Sequence, residues 1–255
     1  MHTDVSAAAC GDADVAAIGA LLGDRGRCRM LMALNDGRAL PASMLANEAK
    51  VSPSTASSHL RKLLDAGLLA MEARGRNRYY YLANPQVGQL LEVLTRLAPA
   101  QPIRSLREGT RAHALRRART CYDHLAGRLG VEIMRAMIER GHLAGGDGMF
   151  NPDTADRDGR RGYGHDVDYH LTADGRVFLD EFGVTLPGIR PVIRYCIDWS
   201  EQRHHLAGAL GRGLRDRLTD LGWIQRSKTS RAVHLTQTGH DGLREVFQAT
   251  LPKRD

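Results

Sequence analysis

The stretch from Ser52 to Leu82 constrains the fold more than any other part of the chain. Ser52 followed by Pro53 is a helix N-cap followed by a proline at the first helical position, where a missing N–H costs nothing. Ala56, Leu60, Leu63 and Leu64 then recur at i, i+4, i+7 and i+8, which is one buried stripe of a helix running to Ala66. Ser54, Thr55, Ser57, Ser58, Arg61 and Lys62 occupy the opposite face. Gly67 is placed to end the helix in the left-handed conformation. Leu68 to Arg74 and Arg78 to Leu82 read as two strands around the turn Gly75-Arg76-Asn77.

Flanking segments extend the pattern. Val15, Ile18, Leu21 and Leu22 share a helical face, and a second amphipathic run spans Cys28 to Leu34. Asn35-Asp36-Gly37 marks a turn, and Pro41 opens a short helix through Ala49 with Leu45 and Ala49 inward. After the hairpin, Val87, Leu90, Leu91, Leu94 and Leu97 form another apolar helical face. Helix, helix, helix-turn-helix, hairpin, helix is the order of a winged helix domain.

The segment VSPSTASSHLRKLLDAGLLAMEARGRNRYYYL, Val51 to Leu82, resembles the recognition helix and wing of the ArsR/SmtB-type repressors. The resemblance covers roughly the first 100 residues and is specific, because caps, stripe, helix stop and wing occur in order. It implies a double-stranded DNA partner and a homodimer joined through the first and last helices. The faces of Val15/Ile18/Leu22 and Leu90/Leu94/Leu97 would then form the interface. Metal sensors of this family carry cysteines in the helix before the recognition helix. Here that helix reads LPASMLANEA, without Cys or His, and Val87 to Leu97 lacks the Asp/His sets of zinc sensors. Both departures argue against those particular sites.

At 255 residues the chain is long enough for two domains. A net charge of +7 suits a nucleic-acid partner without proving one, and residues 1 to 99 hold 11 Lys/Arg against 9 Asp/Glu, so position must carry the inference. Cys10, Cys28, Cys121 and Cys196 contain no C-x-x-C pair and read as reduced thiols. The first residues carry no basic start and no apolar stretch, and no apolar run could span a bilayer. A cytoplasmic protein without membrane contact is expected.

The second half contains a repeat. CYDHLAGRLG (Cys121 to Gly130) and CIDWSEQRHHLAGALG (Cys196 to Gly211) both begin Cys-x-Asp and end His-Leu-Ala-Gly-x-Leu-Gly, with six extra residues in the second. Downstream, YHLTADG (Tyr169 to Gly175) matches VHLTQTG (Val233 to Gly239), each leading into an apolar helix. Val177, Phe178, Leu179 and Phe182 mark one of these helices, and Leu243, Val246 and Phe247 the other. The expected fold class is mainly α with small β-hairpins (α+β): an N-terminal winged helix-turn-helix plus a C-terminal tandem of two winged-helix-like repeats. The expected divisions are a disordered tail at 1–11, the DNA-binding and dimerisation domain at 12–98, a basic connecting helix at 99–120, and repeats at 121–189 and 190–252. The connecting stretch Arg104 to Arg119 holds six arginines against Glu108, with Leu106, Thr110, Ala114 and Ala118 inward. It is a solvated face or a track for DNA phosphates. Four aspartates in the loop Gly145 to His165 (Asp147, Asp153, Asp156, Asp158) lack the spacing of a calcium loop.

Two sets of residues carry chemistry. For DNA, the short hydroxyls Ser54, Thr55, Ser57 and Ser58 permit close approach to a groove, Arg61 and Lys62 flank them, and Arg74, Arg76 and Arg78 arm the wing. His59 is a further candidate that packing would explain equally well. For an effector, Cys121 and His124 are three apart, which on a helix makes them neighbours, and Cys196 and His205 are their repeat counterparts. Pseudo-symmetry would bring all four together as soft ligands for zinc or a metalloid, with His204 and His113 as extras. Buried structural cysteines, a thiol-reactive sensor, or an organic ligand between the repeats would account for the same residues. Asp198 and Glu201 have the spacing of a capping box.

The chain thus reads as a sequence-specific transcription regulator, a dimeric repressor whose C-terminal half senses a small molecule, metal or thiol-reactive effector. The alternatives are a ligand-independent structural DNA-binding protein and a Cys/His-dependent enzyme. The last lacks support: H-E-x-x-H, G-x-S-x-G, phosphate-loop and G-x-G-x-x-G motifs are all absent, and no catalytic residue is assigned.

Overall fold

The computed structural model describes residues 12–75, 77–99, 102, 105–150, 169–186, 192–227 and 230–251. The stretch 1–11, Arg76, and Asp153, Asp156 and Asp158 of the long loop lie outside the described residues. Contacts divide the chain into two units, Met1–Leu34 with Arg38–Asn84, and Asn35–Gly37 with Pro85–Asp255.

In the first unit, α1 (Val15–Leu22) starts where Asp14 accepts a hydrogen bond from the Ala17 N–H at 3.0 Å. α2 (Arg25–Leu34) begins earlier than Cys28 because Asp24 caps it through the Arg27 N–H at 2.9 Å. Leu40 and Pro41 form β1 (Leu40–Pro41), a strand not anticipated from the sequence, and Pro41 is the extended N-cap of α3 (Ala42–Ala49). α4 (Pro53–Asp65) is built as expected. Ser52 Oγ accepts from the Thr55 N–H at 3.2 Å, Ala56, Leu60 and Leu63 are buried, and Gly67 takes φ +67° just past the helix. β2 (Leu69–Arg74) and β3 (Asn77–Leu82) pair antiparallel from Leu69 opposite Leu82 to Arg74 opposite Asn77, and β1 adds to the free side of β3. Leu69, Tyr80 and Leu82 share the buried interior with Met30, Leu31, Leu34, Leu45 and Leu60. Burial of each such side chain stabilises by about 1.5–3 kcal/mol, which seats α4 firmly.

In the second unit, α5 (Pro85–Leu97) and α6 (Leu106–Arg117) precede two copies of one pattern: hairpin, helix, hairpin, helix. The first copy comprises β4 (Arg119–Cys121), β5 (His124–Ala126), α7 (Gly127–Glu139), β6 (Leu143–Ala144), β7 (His170–Leu171) and α8 (Ala173–Phe182). The second comprises β8 (Arg194–Ile197), β9 (His204–Ala207), α9 (Gly208–Asp220), β10 (Ile224–Arg226), β11 (Val233–Leu235) and α10 (Gln237–Phe247). The repeated Leu-Thr has a structural cause. Thr172 and Thr236 cap α8 and α10 by accepting from the Gly175 and Gly239 N–H groups, each at 3.0 Å. Those glycines are forced, since a Cβ would stand 2.1 Å from the His142 carbonyl oxygen in one copy and 2.1 Å from that of Trp223 in the other.

The copies are interleaved. α7 packs on β9 and α9 packs on β5, so each copy's helix covers the other copy's hairpin. One apolar core, including Leu129, Met134, Met137, Leu210, Leu214, Trp223 and Phe247, serves both.

Several sequence expectations are corrected here. Cys121 to Gly130 is not one helix: the chain runs as a hairpin to Ala126, and α7 begins at Gly127. Asp198 and Glu201 cap no helix, because the chain turns there between β8 and β9. The connecting helix ends at Arg117, and Arg119 enters β4 with no exposed surface, which removes it from any phosphate-tracking face. Leu106 and Thr110, expected inward, are exposed, Leu106 by 94%, whereas Ala114 is half-buried along with Ala112 and Leu115, and Ala118 is buried as expected. Val177 also faces outward on α8, while Leu179 and Phe182 are buried.

Candidate metal centre and nucleic-acid interface

In β4 and β5 a two-residue turn, with Tyr122 in the left-handed region at φ 55°, sets Cys121 directly opposite His124. In β8 and β9 a longer turn sets Cys196 directly opposite His205. The relation that the sequence suggested for a helix is therefore a cross-strand pair, made twice. The hairpins lie together beside the α7 and α9 glycines, which are required by their own hairpins: a Cβ would stand 2.5 Å from the Leu125 carbonyl oxygen at Gly130 and 2.4 Å from that of Leu206 at Gly211. A Cβ on Gly130 would lie 3.4 Å from the His205 Cβ, and one on Gly211 would lie 3.1 Å from the His124 Cβ. The two imidazole rings are 5.2 Å apart between centroids.

The result is that one donor atom from each of Cys121, His124, Cys196 and His205 lies within 4.8 Å of every other. A tetrahedral Cys2His2 ion, with Zn–S near 2.3 Å and Zn–N near 2.0–2.1 Å, needs donor separations of about 3.3–3.8 Å. The donors fit after drawing in by about 1 Å. His124 Nε2 and His205 Nε2 are both buried and find no hydrogen-bond partner among the described residues, an uncommon state for buried polar atoms. Their other nitrogens face carboxylates: His124 Nδ1 is hydrogen-bonded to Asp123 Oδ1 at 3.3 Å, while His205 Nδ1 lies 3.4 Å from Asp198 Oδ2 without making a hydrogen bond. A carboxylate behind each imidazole is the usual means of fixing a metal-ligating ring.

Asp198 is the anchor of this arrangement. Its Oδ2 accepts from Arg119 Nη2 at 2.9 Å and from the Gly127 N–H at 2.6 Å, while Oδ1 accepts from Ser200 Oγ at 2.7 Å. Burial alone would raise its pKa, but Arg119 and His205 outweigh that and hold it well below the usual carboxylate range. The Arg119 guanidinium also lies 4.5 Å over the Trp199 ring. The sequence places Asp198 in a capping box, and its contact with the His205 ring carries no local sequence signal. His204 is turned away from the quartet, its Nδ1 2.9 Å from Tyr169 Oη, and His113 stands exposed on α6.

The ionisation of the buried histidines gives a pH prediction for the metal-free chain. Burial pushes His205 down to about 3 and His204 down to about 4. At His124 burial also pulls downward, but Cys121 and Asp123 outweigh it and raise the imidazole to about 10. An unfolded histidine titrates near 6.5. Between about pH 6.5 and 4 the unfolded chain therefore takes up protons that folded His204 and His205 refuse, so stability falls as pH falls. His124 acts oppositely: its contribution is present below about 6.5 and is lost progressively as pH rises from there toward 10, so it varies little over the acid range. Guanidinium midpoints measured with a chelator present should decline from pH 7 to pH 5, and a flat profile would contradict the buried neutral histidines.

A cavity of about 300 Å³ adjoins the quartet, its wall including Cys121, His124, Cys196, Glu92, Tyr122 and Arg194. Glu92 is itself buried, accepting from Arg231 Nη1 at 2.7 Å and Asn35 Nδ2 at 2.8 Å.

On α4, Ser54, Thr55, Ser57, Ser58, Arg61 and Lys62 are all exposed on one side of the buried stripe. His59 leaves that face. Its Nε2 lies 3.5 Å from Asp24 Oδ1, and a Cβ on Gly26 would stand 3.1 Å from the same nitrogen, so it packs against the start of α2. In the wing, Arg74 and Arg78 are exposed, with Arg74 paired to Glu72 at 2.5 Å, and Arg76 lies outside the described residues. α1 buries no residue and leaves Val15 75% exposed, and on α5 Leu97 is 76% exposed.

Residues 24–70 match the family of bacterial regulatory proteins called arsR. Over 230 residues the chain is 38% identical to the uncharacterized HTH-type transcriptional regulator YdfF of Bacillus subtilis, spanning 89% of this chain and 93% of that one. The chain belongs to the ArsR family of HTH-type transcriptional regulators. It is thus a DNA-binding winged helix-turn-helix regulator and not an enzyme. This ArsR-family chain is also 34% identical over 92 residues to the regulator CmtR of Mycobacterium tuberculosis, covering 34% of this chain and 77% of CmtR. Among solved structures, the cadmium metal-sensor CmtR of that organism overlays 36% of the chain and all of its own with 33% identity and a TM-score of 0.29. Reduced HlyU of Vibrio cholerae overlays 33% of the chain and 88% of its own with 25% identity and a TM-score of 0.31. Among the described residues no helix is long and apolar enough to cross a membrane.

Proposed function

We propose that this ArsR-family regulator is a dimeric, cytoplasmic repressor that releases its operator when a soft divalent cation of the zinc class binds Cys121, His124, Cys196 and His205. The convergence of two Cys–His cross-strand pairs, with both Nε2 atoms buried and unpartnered, carries the reading. Once bound, such an ion would draw the four donors together as a charged, thiolate-rich centre. Asp198 and Asp123 keep each ring's Nε2 turned toward it, and burial excludes competing water. Dimerisation through α1 and α5 is supported by the apolar side chains each leaves uncovered: Val15 on one, Leu94 and Leu97 on the other.

On DNA, the α4 hydroxyls would meet the major groove, with Arg61 and Lys62 beside them and Arg74, Arg76 and Arg78 on the wing. Arg78→Ala is expected to weaken binding to all duplexes alike and to reduce the slope of log affinity against log salt by about 1. Unchanged affinity and slope would take the wing out of the interface. The whole reading is tested by titrating the wild-type chain onto the DNA upstream of its own gene, with and without Zn(II). A regulator binds it in preference to random duplex and lets go when the ion is added. A structural DNA binder shows neither preference nor release.

A further inference from the structure

We propose that the cavity beside the cysteines is an exchange chamber, in which a small carboxylate-bearing thiol enters, coordinates the bound ion and carries it off by displacing Cys196. The proposal rests on the Cys121, His124, Cys196 and His205 quartet being an ion site.

Three of the four ligands, Cys121, His124 and Cys196, line the cavity, whereas His205 does not, is 1% exposed, and is backed by Asp198. A Cys2His2 set fills all four coordination positions, so an incoming ligand must displace one of them and needs room beside it. This one opens on about 300 Å³, the size of a small-molecule pocket and roughly ten times the share of one water. The two sulfurs are unequal: Cys121 is 2% exposed, while Cys196 is half-buried and within reach from the cavity. The wall also carries what a thiol acid would use. Pro85, Tyr122 and Tyr195 offer apolar surface to its carbon body. Arg194 offers a guanidinium whose buried Nε–H has no acceptor among the described residues, so a carboxylate there would satisfy it.

The step is a ligand exchange that needs no oxidant. The entering sulfur forms its bond to the ion as the bond from the ion to Cys196 Sγ breaks, and the proton of the entering thiol passes to the Cys196 sulfur; a second thiol then replaces Cys121 in the same way, its proton passing to the Cys121 sulfur, and water replaces His124 and last His205 as the ion leaves with both thiolates. His205, held from behind, stays bound longest. The chamber gives the regulator a route for unloading, so that its state follows the cell's free ion rather than locking after one binding event.

The test uses the full chain loaded with Co(II), whose thiolate charge-transfer absorption reports Co–S bonds, with EDTA in excess as the sink. Thioglycolate should speed the loss of that absorption in proportion to its concentration. Gln89→Trp, a bulky side chain at an exposed position on the cavity wall, should slow the thiol-driven loss by about tenfold while leaving Co(II) affinity unchanged. Arg194→Gln should slow thioglycolate but not neutral 2-mercaptoethanol. A loss rate independent of thiol, or Gln89→Trp behaving as wild type, overturns the chamber. Equal effects of Arg194→Gln on both thiols overturn the carboxylate assignment. A wild-type chain that shows no charge-transfer absorption at all loses the ion site itself, a distinct result that removes the chamber with it.

Discussion

Asp198→Asn should lower the free energy of unfolding by about 3–5 kcal/mol, because it leaves the Arg119 guanidinium buried with no counter-charge. Both side chains are fully buried, and the pair lies where three pieces of the second unit meet: β4, the start of α7, and the turn after β8. Asparagine keeps the shape but loses the charge and turns one accepting oxygen into a donor that faces Arg119 and the Gly127 N–H or the Ser200 donors, so the loss reads the pair with its hydrogen bonds rather than a cavity. Denaturant midpoints at pH 7 measure it directly. The double variant Arg119→Met/Asp198→Asn should recover much of the loss, since removing both charges relieves the uncompensated one. A single variant as stable as wild type would mean that the pair is open to water. The sign with pH follows the depressed carboxyl: its contribution is present above about pH 4 and lost as pH falls toward its folded value.

The second large effect concerns the ion. Zn(II) held at about 100 times its Kd should stabilise the wild-type chain by about 2.7 kcal/mol, since the assembled quartet belongs to the folded state. Metal binding must also displace protons, because a hydrogen bond with the neighbouring Cys196 and then burial hold the Cys121 thiol well above its ordinary pKa. Affinity for the ion should therefore rise with pH. Cys121→Ser and Cys196→Ser should each abolish this stabilisation while leaving metal-free DNA binding intact. In an anisotropy titration with operator DNA, Zn(II) should weaken wild-type binding by tenfold or more, a coupling of about 1.4 kcal/mol, and leave both variants bound. Normal release in both serine variants would end the metal-sensing reading, while the DNA-binding assignment would stand.

What could be read from the amino acids follows where the determinants are local. The recognition helix was legible because Ser52, Pro53, the Ala56/Leu60/Leu63 stripe and Gly67 all act within a few residues of one another. The duplication was legible for the same reason, as a recurrence of short motifs. The hairpins that open each repeat were not, because Cys121-Tyr122-Asp123-His124 is too short for strand periodicity to register, and its i, i+3 spacing imitates a helix. A signal did exist in the unequal spacing of the repeats. Six extra residues between Cys196 and His205 would rotate the partners apart on a helix, whereas a hairpin absorbs them in its loop and keeps them facing. β1 escaped notice because two residues joined to the far side of β3 carry no pattern of their own. Arg119, read with the charged helix before it, depends on an acid 79 positions away in the chain. No local rule reaches that far.

The crosswise seating of α7 on β9 and α9 on β5 has a genetic corollary. A premature stop between the repeats would not leave a smaller working half, since the surviving helix would lie bare where its cover had been, and two of the four donors would be gone. Swapping in a second repeat from a distant relative should fail for the same cause unless the first is exchanged along with it. The duplicated half of this regulator is thus inherited as one indivisible module, in which each copy is the other's scaffold.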